Sequence, residues 1–302
     1  MHRYDDPTAA RAWCEARRQE GRTLGFVPTM GALHEGHLEL VRRAVAENDL
    51  ACVSVFVNPL QFDDPADLSR YPRDFERDAE LLQGAGCQMV FTGTLAGFFP
   101  ESATAEGIES EPAGAAAEGL EGACRAGHFD GVATIVRRLF ELVVPRRAYF
   151  GEKDFQQTLV VRAVAERLGY PQIVVCPTSR ESDGLARSSR NLLLTPAERP
   201  LAVALSRALA RAQSLFAAGE RGVGVLRSAM HSELRELEVE YAELRDPERF
   251  ERVPTDVDRL DRAQALVAAR LGRVRLIDNL RLDGPPLASL RSGGACGPTE
   301  QA

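Results

Sequence analysis

Two of the chain's 5 histidines stand three residues apart in the run Pro28-Thr29-Met30-Gly31-Ala32-Leu33-His34-Glu35-Gly36-His37. An apolar stretch from Leu24 to Val27 precedes the run, and Leu38, Val41 and Val45 follow it at helical spacing, which predicts strand, glycine-containing loop and helix start. The N-terminus of a helix offers unbonded N–H groups and the positive end of a dipole, so it attracts anions. Imidazoles at His34 and His37 lie together on such a turn and can donate to phosphate oxygens. Gly31 and Gly36 let backbone approach a nucleotide closely.

Other chemistries fit the same residues less well. H-x-x-H without further Cys or His nearby, and without an H-E-x-x-H helix, is a poor zinc signature. A P-loop requires Gly-Lys-Ser/Thr, but the one lysine of this arginine-rich chain, Lys153, follows Glu152. No G-x-G-x-x-G follows the first strand either. That lone lysine sits in Gly151-Glu152-Lys153-Asp154, again at a strand end leading into a helix, and its retention points to a place where a compact ammonium fits and a wide guanidinium does not. A third polar cluster, Arg187-Ser188-Ser189-Arg190, falls near a predicted domain junction.

These residues need elements to carry them. Leu50–Val57, Gln88–Phe91, Arg147–Phe150 and Gln172–Cys176 read as further strands, with helices over 73–83, 132–143 and 158–168 between them. Alternation of this kind predicts an α/β fold, a Rossmann-like parallel sheet with helices on both faces, whose ligands bind at the carboxyl ends of the strands. Residues 1–180 form the expected Rossmann-like domain. After it, helices over 196–218 and 223–234 and strand-like runs over 238–244, 265–269 and 273–280 predict a smaller C-terminal α+β domain spanning 181–284. The Ala-, Gly-, Glu- and Ser-rich stretch 97–122 reads as a surface excursion or mobile flap, and 285–302 as a disordered tail.

Composition narrows the classes. The chain has 302 residues, 44% of them hydrophobic and 27% charged, as expected of one large or two modest globular domains. A net charge of -7 argues against a nucleic-acid binder, which needs a basic face. The 6 cysteines include no C-x-x-C pair and read as reduced thiols, consistent with a cytoplasmic protein. No apolar run reaches the roughly 18 residues of a spanning helix, so no membrane association is expected.

The ten-residue run PTMGALHEGH resembles the nucleotide-binding signature of the pantothenate synthetase family, within the H-x-G-H nucleotidyltransferase superfamily. The resemblance continues through VSVFVNPLQF (53–62), Tyr71-Pro72-Arg73, EGACRAGHFDGV (121–132), GEKDFQQ (151–157) and DGLARSSRN (183–191) in the family's order. It implies an ATP-dependent ligase that condenses (R)-pantoate with β-alanine through pantoyl-adenylate, releasing pyrophosphate and then AMP. The alternative is a nucleotidyltransferase of the same superfamily acting on another small substrate.

The resemblance also implies roles. ATP would be held by Met30, Gly31, Ala32, Leu33, His34, Glu35, Gly36 and His37, by Gly151, Glu152, Lys153 and Asp154, and by Ser179, Arg187, Ser188, Ser189 and Arg190. His37, His34 and Lys153 would be catalytic, with His37 the proton donor toward pyrophosphate and Lys153 offsetting charge on the phosphates. Gln61 and Gln157 would bind pantoate, and Asn58 would steady the second substrate or the phosphate. Mg2+ would accompany ATP, with Asp78 as a protein ligand, although Arg77 stands where a second acid is common. Arg187 likewise replaces the usual methionine. A homodimer is implied, and Arg125 and His128 share a family-like R-x-x-H-F block.

Overall fold

Strict alternation of side chains along parallel strands builds the first of two units, Met1–Pro177, in the computed structural model, which describes residues 1–102, 104–247 and 261–287. Its strands are β1 (His2–Tyr4), β2 (Leu24–Thr29), β3 (Leu50–Val55), β4 (Met89–Phe91), β5 (Arg147–Gly151) and β6 (Gln172–Cys176). They pair in parallel in the order β1-β4-β3-β2-β5-β6. The helices are α1 (Pro7–Gln19), α2 (Glu35–Glu47), α3 (Pro65–Arg70), α4 (Phe75–Gly84), α5 (Leu95–Phe98), α6 (Leu120–Cys124), α7 (His128–Val143) and α8 (Phe155–Leu168).

Period two sends Leu24, Phe26, Cys52, Met89, Phe91, Ala148 and Phe150 to one face, against α1, α7 and α8. Val27, Ala51, Val53, Val90 and Tyr149 go to the other, against α2 and α4. Each large side chain so buried contributes about 1.5–3 kcal/mol. The strand order reverses direction between β2 and β5, so the crevice at their carboxyl ends is the switch point where ligands bind in such sheets.

Sequence reading assigns no element before Leu24, yet β1 and α1 are there. β1 is polar and pairs through its backbone at the sheet edge, so it lacks an apolar signature. α1 does carry a helix-start signal: Asp6 accepts from the Thr8 N–H and Pro7 opens the first turn.

The stretch read as an excursion or flap is pinned along its second half. The Gln156 amide donates to the carbonyls of Ala116, Glu118 and Gly119 and accepts from the Glu121 N–H. Glu111 pairs with Arg137 and Arg167, and the N–H groups of Glu111 and Ala113 donate to Thr134 and Asp130. These partners lie on α7 and α8, far away in sequence, so local composition carries no trace of them.

The second unit begins at Thr178, a few residues before the expected boundary. It contains α9 (Glu198–Ala202), α10 (Ala204–Ala217), α11 (Val223–Glu233) and an antiparallel meander of β7 (Glu238–Arg245), β8 (Gln264–Leu271) and β9 (Val274–Arg281). The single helix expected over 196–218 is two, with Val203 between them and Pro200 confined to the first turn of α9, where its missing N–H costs little. Of the tail expected from 285, Leu287 is buried and donates its N–H to Gln213, while 288–302 lies outside the described residues.

Candidate active site

β2 delivers the Thr29–His37 run to the switch point, and its local shape is set by groups distant in sequence. The Thr29 hydroxyl donates to the Ser54 carbonyl of β3 at 2.8 Å and accepts from the Gly31 N–H at 3.3 Å. Gly31 at φ 85° and Ala32 at φ 51° turn the chain through the left-handed region. The carboxylate of Asp78 on α4 accepts the N–H of Ala32 at 2.9 Å and of Leu33 at 2.8 Å, and a Cβ on Gly31 would press on it. Asp78 is fully buried, which raises its pKa against the lowering effect of the two backbone donors.

Asp78, the residue expected to hold a metal, thus braces this loop. Both its oxygens serve the backbone, and among the described residues no group of three His, Cys, Asp or Glu side chains can hold a cation.

The run ends on α2, with His34 as its N-cap residue and Glu35 and Gly36 in the first turn, where N–H groups have no intrahelical acceptor. The rings of His34 and His37 lie 4.1 Å apart, centroid to centroid. His37 Nδ1 accepts the His34 N–H at 3.3 Å. Burial lowers the His37 pKa to about 4, with Asp154 opposing and Lys153 reinforcing the shift. At neutral pH the ring is uncharged and its proton sits on Nε2.

That electrostatic triangle joins the two predicted motifs. β5 ends at Gly151, and Glu152, Lys153 and Asp154 form a 3-10 turn leading into α8. Lys153 Nζ lies 2.8 Å from Asp154 Oδ1, with the lysine side chain 18% exposed. Gln157 lies in the first turn of α8 and is half-buried, while its neighbour Gln156, which sequence reading passed over, is the buried clamp described above.

Gln61 closes a third side. Its Nε2 donates to Met30 Sδ at 3.1 Å, and its Oε1 accepts from Asn58 Nδ2 at 3.0 Å. Asn58, 1% exposed, also donates to the Gly131 carbonyl, so it anchors Gln61 from beneath.

The remaining predicted residues lie in the second unit. Arg187 N–H donates to the Ser179 carbonyl at 2.9 Å, and the Arg187 guanidinium pairs with Glu181 at 3.0 Å, so Arg187 is an ion-pair partner within its own hairpin. Ser188 caps the 3-10 turn Ser189–Leu193 that carries Arg190. The hairpin is fastened to β9 by a wholly buried ion pair, Arg180 with Asp278 at 2.7 and 2.9 Å, that sequence reading did not single out. Cys14, Cys52, Cys87, Cys124 and Cys176 are not disulfide-bonded, and Cys296 lies outside the described residues. No described helix is long and apolar enough to cross a membrane.

A doubly wound sheet whose switch point carries a capped helix start, a neutral histidine and a lysine defines an α/β protein suited to a phosphate-bearing ligand. Comparison with known proteins gives the particular family: the sequence model for pantoate-beta-alanine ligase matches residues 3–281. The chain belongs to the pantoate-beta-alanine ligase family, and it is an enzyme. It is 50% identical over 264 residues to the pantothenate synthetase of Gluconobacter oxydans, covering 86% of this chain and 94% of that one. The crystal structure of the Thermus thermophilus pantothenate synthetase superposes with a TM-score of 0.83 at 44% identity, over 93% of this chain and 99% of the other. The Francisella tularensis ligase, solved with β,γ-ATP and β-alanine, has a TM-score of 0.76 at 29% identity, over 95% and 99%.

Proposed function

We propose that this enzyme condenses (R)-pantoate with β-alanine at the cost of ATP, giving pantothenate, AMP and pyrophosphate. The observation that carries the reading is the meeting of His37, Lys153 and Asp154 at the switch point of a chain in this family. The pantoate carboxylate attacks the α-phosphorus of ATP, forming pantoyl-adenylate as pyrophosphate leaves. The β-alanine amine then attacks the activated carbonyl, expels AMP and loses a proton.

Both nucleophiles come with the substrates, so the protein's work is positioning and charge stabilisation. His37 and His34 donate to the phosphates beside the start of α2, and the Lys153 ammonium offsets the charge that develops on the α-phosphate and departing pyrophosphate. Asp154 is suited to a ribose hydroxyl, and Ser188, Ser189 and Arg190 to the triphosphate. Gln61 and Gln157 hydrogen-bond pantoate without adding charge, and Asn58 steadies Gln61. Mg2+ enters on the phosphates of ATP. Family membership supports a cytoplasmic homodimer, which sedimentation checks.

The test is incubation with ATP, magnesium, pantoate and β-alanine. Pantothenate and β-alanine-dependent AMP are the expected products. A nucleotide-linked product that no amine consumes would establish the nucleotidyltransferase alternative instead.

A further inference from the structure

We infer that His128 and Arg125 are positioning residues that lock the main chain of Gln61 and thereby set the affinity for pantoate. The inference rests on the assignment of Gln61 to pantoate made above.

Gln61 ends a short 3-10 turn, Pro59–Gln61, which has no helix of its own to stiffen it. Its carbonyl is held from two directions. His128 Nδ1 lies 2.7 Å from it, and Arg125 Nη2 donates to it at 3.3 Å. Arg125 Nη1 lies 3.1 Å from His128 Nε2, and Arg125 Nε donates to Asp63 at 3.2 Å.

Only one protonation state satisfies this geometry. A carbonyl oxygen cannot donate and a guanidinium cannot accept, so Nδ1 carries the proton and Nε2 offers its lone pair to Arg125. Burial, with Arg125 next in size, lowers the His128 pKa to about 4, which keeps the ring neutral. The ring is 6% exposed, and neither nitrogen is left over for a ligand.

The same packing holds the turn from behind. A Cβ at Gly131 would collide with the Leu60 carbonyl, so α7 presses on the turn at the one residue that permits it. Asn58 spans Gly131 and the Gln61 amide oxygen, and one amide N–H of Gln61 is turned to Met30. With carbonyl and amide oxygen both fixed, the second N–H of Gln61 points in one direction only. Arg125 closes α6 while His128 and Gly131 open α7, so the junction of two helices grips one turn.

The test is the KM–kcat split in pantoate-dependent ATP–pyrophosphate exchange. His128→Phe removes the donor to Gln61, whereas His128→Asn places an amide N–H where Nδ1–H was. We expect His128→Phe to raise the pantoate KM about tenfold or more, with kcat and the ATP KM within about twofold, and His128→Asn to recover most of the loss. Arg125→Met should raise the pantoate KM in the same direction and serves if His128→Phe does not fold. A pantoate KM raised by Gln61→Ala but unchanged in folded His128→Phe or Arg125→Met, or a parallel rise in both substrate KM values, overturns the inference alone. An unchanged pantoate KM in Gln61→Ala removes the assignment of Gln61 and the inference with it.

Discussion

His37 accepts the backbone N–H of His34 on its Nδ1 at 3.3 Å while the two rings lie 4.1 Å apart. The fold thus chooses the tautomer: an accepting Nδ1 leaves the proton on Nε2, free of the helix backbone. His37→Ala should lower ATP–pyrophosphate exchange by about 10²–10⁴-fold with little change in the melting curve. A folded variant exchanging at near-normal rate would end the catalytic assignment.

Lys153 reaches Asp154 at 2.8 Å from a 3-10 turn, its side chain 18% exposed. A guanidinium is wider and binds in a plane, so charge alone does not replace the ammonium. Lys153→Arg is expected to lose about 10²-fold or more in kcat, in line with removal of one aligned stabilising group. Steady-state exchange assays check this, and an active Arg variant would make the lone lysine a coincidence of composition.

Asp78 holds two buried N–H groups of the loop that precedes α2. Asparagine offers an acceptor to one and faces the other with its own N–H. Asp78→Asn should therefore cost about 1–3 kcal/mol in urea unfolding and raise the KM for ATP. Unchanged stability together with lost magnesium dependence would restore the metal-ligand role.

In the second unit, Asp278→Asn leaves the Arg180 guanidinium buried against a neutral partner. Breaking a buried pair from one side costs about 3–5 kcal/mol, and the hairpin carrying Ser188 to Arg190 should loosen with it. Denaturant midpoints and protease nicking between 179 and 190 provide the readout. A variant as stable as the parent contradicts the anchoring role.

Acid should destabilise the protein through its histidines. His37 and His128 both have pKa values lowered from 6.5 to about 4, chiefly by burial. Unfolded, they take up protons as pH falls below about 6.5, while in the fold they stay neutral until about 4, so their contribution is complete above pH 6.5 and is lost on the way down to pH 4. For buried His128 the loss approaches about 3 kcal/mol. His128→Phe should therefore lose less stability than the parent between pH 7 and 4.5, and histidine NMR resonances should place His128 near 4. Titration near 6.5 would contradict the burial argument.

Much of this fold was legible in the chain. The run Gln172–Cys176 is β6 residue for residue, and β2, α2, β5 and β9 fall within a few residues of their predicted spans, because apolar periods of 2 and 3.6 reflect one buried face. Elements without that signature escaped: β1 is a polar edge strand, and the 97–122 stretch is held by Gln156 and Glu111 through side-chain bonds that leave no periodic pattern. Asp78 was singled out, but its partners were not, since a carboxylate that binds a cation and one that holds two backbone N–H groups look identical in sequence.

The amino-acid sequence by itself determined the local chemistry: a glycine-turned helix start with two histidines, a lone lysine at a strand end, and the family to which those blocks belong. Tertiary structure alone decided which of these act together. β5 lies beside β2, not beside β4, so Lys153 and Asp154 reach the field of His37. α4 brings Asp78 beneath Ala32 and Leu33, and α7 brings His128 to Gln61. Periodicity and capping arise from neighbours a few residues apart, whereas strand order and helix packing are settled by burial over the whole chain, and the tautomers and pKa values of the site follow from that burial.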